Sequence, residues 1–142
     1  MLDKIKPPTW FWILAIILLF WNLVGLAAFV LELSMPETLI ADFNEAQMEQ
    51  YNSRPGWYMF NFAIAVFGGT FSCVFLLARR KIAVTLAVLS LVSVLISSVY
   101  TMYSGALDLV EVSDKTLFYL VIILDLVLVF FAITASKKRW IS

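Results

Sequence analysis

Four stretches of this chain, residues 10–33, 57–78, 82–104 and 116–136, are apolar over at least the roughly 20 residues that a helix needs to cross a bilayer core. That pattern dictates an integral membrane protein of the helical kind. With 63 % apolar and 14 % charged residues, against about 25 % charged in soluble domains, the excess is concentrated in the four runs, so a soluble core does not explain it. The 142 residues, less four spans, leave only tails, one tight hairpin and two loops. The expected architecture is therefore a single all-α domain over residues 1–142, a four-helix membrane bundle.

Chemistry is constrained mainly by what the chain lacks. There is no His, and the single Cys73 lies inside the second span. This excludes a disulfide framework, a zinc cluster and a His/Cys nucleophilic pair. No Gly-rich phosphate loop, HExxH or GxSxG motif occurs. The expectation is of no enzyme, no cofactor, no metal and no nucleic-acid partner.

The charges sort by loop. Lys4 and Lys6 precede the first span, Arg79, Arg80 and Lys81 join the second to the third, and Lys137, Lys138 and Arg139 follow the fourth. The opposite side carries Arg54 and Lys115 against eight acids, Glu32, Glu37, Asp42, Glu45, Glu49, Asp108, Glu111 and Asp114. Basic loops stay in the cytoplasm, so both termini are expected inside. Trp10, Trp12 and Trp140 mark the inner interface and Trp57, Tyr58, Tyr100 and Tyr103 the outer one, with Trp21 the exception. The opening residues imitate a signal peptide, but the apolar run exceeds the roughly 7 to 15 residues of a signal core, so the first span is expected to stay attached.

Helical periodicity gives each span one polar or small stripe on a Leu, Ile, Val and Phe body. The stripes are Asn22, Gly25, Phe29 and Glu32; Asn61, Ala65, Gly68 and Ser72; Ser90, Ser93, Ser97, Thr101 and Ser104; and Asp125, Ala132 and Ser136. They are expected to converge. One reading is packing, since small residues let helices approach and hydroxyls bond across them; Ala65, Gly69 and Cys73 repeat the small-x-x-x-small spacing.

Asp125 fits that reading least. An aspartate near mid-span costs about 2.5 to 3.5 kcal/mol on insertion scales, so it must face the bundle interior or a hydrated cavity. No basic residue shares its depth. A desolvated acid without a counter-charge favours its neutral form, which opens a proton-coupled role beside a structural hydrogen bond to Asn22 or a hydroxyl. The candidate site is an outward-facing polar cavity: Asn22, Ser93 and Asp125 as floor, Ser97 on the same stripe, and Glu32 and Asn61 nearer the mouth.

The first outer loop is longer than a connection requires. Ser34, Met35, Pro36 and Glu37 match a capping box, and a helix over about 36–52 would carry Leu39, Ile40, Phe43 and Tyr51 on one side and Asp42, Glu45 and Glu49 on another. Such an amphipathic helix would lie on the outer surface or cap the bundle. A faint internal echo, residues 31–34 against 110–113, is too short to establish a repeat.

Residues 55–94 carry a family resemblance. Trp57, the run Phe62-Ala63-Ile64-Ala65-Val66-Phe67-Gly68-Gly69, Arg79-Arg80-Lys81 and Ser90-Leu91-Val92-Ser93 resemble a group of small four-span bacterial inner-membrane proteins commonly labelled sugar transporters. The resemblance implies the fold and a bacterial inner membrane more directly than it implies sugar transport, because the matching residues serve packing and topology. Two functions remain open: a small-solute or proton-linked carrier, forming a homo-oligomer around a small-molecule substrate, or an accessory subunit of a larger membrane complex.

Overall fold

The computed structural model describes residues 5–35, 37, 40–105 and 112–142, and among them every regular element is helical. Helix α1 runs Thr9–Ser34, α2 Glu45–Asn52, α3 Trp57–Leu77, α4 Ile82–Ser104 and α5 Val112–Lys137. Four of these, all but α2, are long and apolar enough to cross a membrane. At 1.5 Å per residue their 21 to 26 residues extend about 32 to 39 Å, enough for a hydrocarbon core of about 30 Å. The chain is a multi-pass membrane bundle. Large apolar side chains that would waste energy in water, such as Phe20, Phe60 and Phe130, are at least 70 % exposed, as a lipid-facing surface requires.

The centre of the bundle is the α3–α4 hairpin, with α1 packed on α3 and α5 on α4. Gly68 makes the close approach feasible: a Cβ there would lie 3.2 Å from the Leu86 carbonyl. A ladder of side-chain hydrogen bonds then ties the two helices. Ser72 Oγ donates to the Ala83 carbonyl at 2.8 Å, Ser90 Oγ to the Ala65 carbonyl at 2.7 Å, and Asn61 Nδ2 to both the Ser93 carbonyl at 2.8 Å and Ser97 Oγ at 2.6 Å. Other hydroxyls turn back on their own helix; Thr70, Ser98 and Thr101 each donate to the carbonyl four residues earlier. The hydroxyl stripe thus does two different jobs.

The two ends of the bundle differ. At the end bearing Arg79–Lys81 and Lys137–Arg139, Phe11, Leu18, Leu76, Leu128, Phe131 and Ile141 form a closed apolar core. Both α3 and α5 stop there in the same way. Arg79 and Arg139 adopt the left-handed conformation, φ 58° and 61°, and the following amides of Arg80 and Trp140 reach back to the carbonyls of Phe75 and Ala135. These are Schellman caps with Arg where Gly is usual. Arg79 then gathers the loose segments, its Nε donating to the Trp140 carbonyl at 2.8 Å and its Nη2 to the Ile5 carbonyl at 2.7 Å. The backbone of Ser142 pairs with Arg79 and Lys81.

The connection between α1 and α3 departs from the sequence expectation. Rather than one helix over about 36–52, α2 covers only Glu45–Asn52, preceded by a turn at Ala41 and Asp42. Its start is set by Asn44, whose Oδ1 accepts from the Gln47 amide at 2.8 Å while Gln47 Oε1 accepts from the Asn44 amide at 2.9 Å. This is a reciprocal capping box, and it breaks the longer helix by holding Asn44 in an extended conformation. Glu37 and Ile40 are helical, and Pro36, Thr38 and Leu39 lie outside the described residues.

Candidate functional site

In the half opposite the basic end, α1 and α5 stand apart and a cavity of about 370 Å3 opens among α1, α3, α4 and α5. It is at the small end of the about 300–1,000 Å3 typical of ligand sites. Its walls are mostly apolar, with Val24, Gly25 and Ala28 from α1, Phe62 and Val66 from α3, Val94 from α4 and Leu117, Phe118 and Val121 from α5. Polar groups are few and placed at two levels. Asn22, Ser90 and Asp125 lie at the deep end, and Ser97, Ser98, Thr101 and Tyr58 lie along the way to the mouth.

The deep end centres on one hydroxyl. Ser90 Oγ lies 3.1 and 3.3 Å from the two Asp125 oxygens and 2.7 Å from the Ala65 carbonyl. A serine has one proton to give. When it goes to Ala65, the contact with Asp125 is a hydrogen bond only if the carboxyl holds a proton and donates it to Ser90. When Asp125 is ionised, the serine proton is drawn towards it instead. Ser90 Oγ is thus shared between the Ala65 carbonyl and Asp125, which is 7 % exposed and faces no Lys or Arg among the lining residues.

Asn22 is held separately. Its Nδ2 donates to the Leu18 carbonyl at 2.8 Å and to Cys73 Sγ at 3.6 Å, which turns its Oδ1 onto the α-carbon of Gly69. Only glycine leaves room for that side chain. Asn22 thus fixes the spacing of α1 and α3 beside the floor, and no hydrogen bond joins it to Asp125.

At the mouth an ion pair takes over. Arg54 Nη1 lies 2.7 Å from Glu32 Oε1, and its guanidinium carbon is 4.3 Å from the Tyr51 ring centroid and 4.7 Å from that of Tyr58. The pair links the end of α1 to the start of α3, and Gln50 Nε2 donates to Ser104 Oγ at 3.0 Å to link α2 with α4. The short helix is strapped across the acidic end.

Of the six residues expected to line a polar cavity, Asn22, Ser97 and Asp125 do so. Glu32 is engaged by Arg54, Asn61 bridges α3 to α4, and buried Ser93 contributes its carbonyl to that bridge; none of these three is in the cavity lining. Ser90, Tyr58 and Trp21 are in the lining but were not among the six. Ser90 could have been found from its stripe, being at a depth to meet Asp125. Among the described residues no group of His, Cys, Asp and Glu could hold a metal ion.

No protein family model matches this chain, and no curated protein or solved structure shows significant similarity to it.

Proposed function

We propose that this protein is a small-solute carrier of the bacterial inner membrane, with its termini in the cytoplasm, and that the cavity is its substrate site in the outward-facing state. The observation that carries this reading is the arrangement around Asp125: an acid at the closed end of a cavity, sharing a single serine proton with a backbone carbonyl. Ionisable residues within spans commonly mark substrate or ion pathways, and this one has open volume in front of it. Proton exchange at Asp125 would redirect the Ser90 hydroxyl and so couple the charge of the site to the α3–α4–α5 contacts. The mostly apolar walls favour a solute with few hydroxyls over a sugar, whose many polar groups would each need a partner. The resemblance of residues 55–94 to four-span bacterial proteins supports the membrane and the topology, and the small enclosed volume favours a homo-oligomer as the working unit.

Alternating access tests this without knowledge of the solute. Single cysteines replacing Phe62 or Val121 in a Cys73→Ala background are expected to react with an impermeant thiol reagent from the periplasmic side of right-side-out vesicles, and more slowly from the cytoplasmic side in inverted vesicles. Labelling from one side only would sink the carrier and favour an accessory subunit of a larger complex. Asp125→Asn, which keeps the shape of the acid but cannot exchange a proton, is expected to preserve folding and lock labelling to one side. Asp125→Leu is expected to lower thermal stability as well, by leaving the Ser90 hydroxyl with one acceptor fewer.

A further inference from the structure

The chemistry and the outline of the cavity together specify a class of ligand. Among the described residues Asp125 is the only Asp, Glu, Lys or Arg in its lining, so a complementary molecule carries one positive hydrogen-bond donor on a mostly apolar body. The route in is indicated by exposure. Val24 and Ala28 on α1 and Leu117 and Val121 on α5 line the cavity and are also exposed on the flank of the bundle. The gap between α1 and α5 therefore opens sideways, towards hydrocarbon, while at the acidic end the Arg54–Glu32 pair and the Gln50–Ser104 bond from α2 narrow the aqueous mouth. A molecule using such a gap must first dissolve in the membrane.

We infer that the cavity binds a lipophilic amine as its ammonium form, admitted from the outer leaflet between α1 and α5 and anchored by an N–H donated to the Asp125 carboxylate. Ser90 stabilises that carboxylate when its hydroxyl turns from Ala65 to Asp125, and Phe62 and Phe118 offer ring faces to the apolar body. The inference rests on the reading of the cavity as a solute site, but it concerns binding alone.

The test uses the full chain in lipid nanodiscs, with 4-(4-bromophenyl)butylamine as probe and the corresponding alcohol as its neutral counterpart. Bromine quenches indole on contact, and Trp21 lines the cavity. Saturable quenching by the amine is expected, with an affinity about tenfold or more above that of the alcohol, as a charge-assisted hydrogen bond warrants. Trp21→Phe is expected to remove the saturable part, and Asp125→Asn to bring the two probes to equal affinity. Equal affinities in the unaltered protein, or an amine preference that survives Asp125→Asn, would overturn the assignment. Should Asp125→Asn unfold, Val121→Phe narrows the gap with the acid intact and adds no indole; it is expected to abolish saturable quenching, and unchanged quenching would overturn the lateral route. Amine preference with one-sided cysteine labelling would retain the ligand class and remove the carrier, and two-sided labelling without amine preference would do the reverse.

Discussion

Replacing Gly69 by Ala probes how firmly α1 is set against α3. A Cβ at that position would clash with Asn22 Oδ1, far inside van der Waals contact, and would lie 3.0 Å from Asn22 Cγ and 3.3 Å from Ser90 Oγ. Asn22 cannot yield without loss, because its Nδ2 is bound to the Leu18 carbonyl and Cys73 Sγ. Side-chain hydrogen bonds in membrane proteins average about 0.6 kcal/mol, so ejecting Asn22 forfeits about 1 kcal/mol. Overpacking a fitted contact adds about 1 to 3 kcal/mol, and the better helix propensity of Ala returns up to about 1. The net expectation is a loss of about 1 to 3 kcal/mol. Gly25→Ala is the control, since its Cβ would meet only Val66 Cγ1 at 3.7 Å, an ordinary contact; it should be neutral or stabilising by up to about 1 kcal/mol. Unfolding equilibria in bicelles would measure both. Adding Asn22→Ala should relieve most of the Gly69→Ala cost. Equal effects of the two glycine substitutions, or strict additivity with Asn22→Ala, would refute the argument.

Other consequences follow from the ends of the bundle. Arg79→Ala removes two hydrogen bonds from a charged donor and keeps the left-handed backbone strain, so it should cost about 1 to 3 kcal/mol, while Arg79→Gly loses the side chain but relieves the strain and should cost less. Faster amide exchange at Ser142 in the order unaltered protein, Gly, Ala is the readout, and equal protection in all three would count against the latch. Arg54→Ala strands Glu32 at the mouth and removes the cation from the Tyr51 and Tyr58 rings; a loss of about 1 to 3 kcal/mol is expected, with Arg54→Lys recovering only part because it lacks the planar fork. A silent Arg54→Ala would show the pair to be solvated and unimportant. For orientation, cysteines at Asp42 and Ser142 in a Cys73→Ala background should label from outside intact cells at the first position only, and the reverse pattern would invert the proposed topology.

What could be read from the sequence was whatever periodicity determines. A run of 20 apolar residues fixes a helix and a stripe fixes a face, which is why the four long helices, the lipid-facing Leu, Ile and Phe residues and the inward turn of Asp125 were legible. Periodicity does not say which neighbour a face meets. Ser93 and Ser97 are one turn apart on the same stripe, yet only Ser97 lines the cavity, whereas Ser93 is buried beside the Asn61 bridge to α3. Glu32 and Arg54 are separated by a loop whose path sets their meeting, and no local pattern encodes that. The basic clusters were read as topology signals alone, whereas Arg79 also caps α3 and ties down residues 5 and 140. The Asn44–Gln47 capping box is also present in the letters, but nothing local ranks it above the Ser34–Glu37 match.

The distribution of contacts indicates which parts of the bundle can move. The α3–α4 hairpin is fastened along its length by Ser72, Ser90 and Asn61, so it behaves as one body. Helix α1 is joined to that body through α3, and α5 through α4, while α1 and α5 touch each other chiefly at the basic end, where Phe11 and Phe131 lie 5.4 Å apart and Arg79 binds the segments around them. A change of access would therefore swing α1 or α5 about that end against a fixed hairpin. Two contacts oppose or permit such a swing: Glu32–Arg54 restrains α1 at its far end, and Ser90–Asp125 restrains α5 near its middle. The first depends on charge at the aqueous surface and the second on a proton within the bundle. Of the two arms, α5 is held to the hairpin at the buried Ser90–Asp125 contact, and α1 is the wall across the cavity from it.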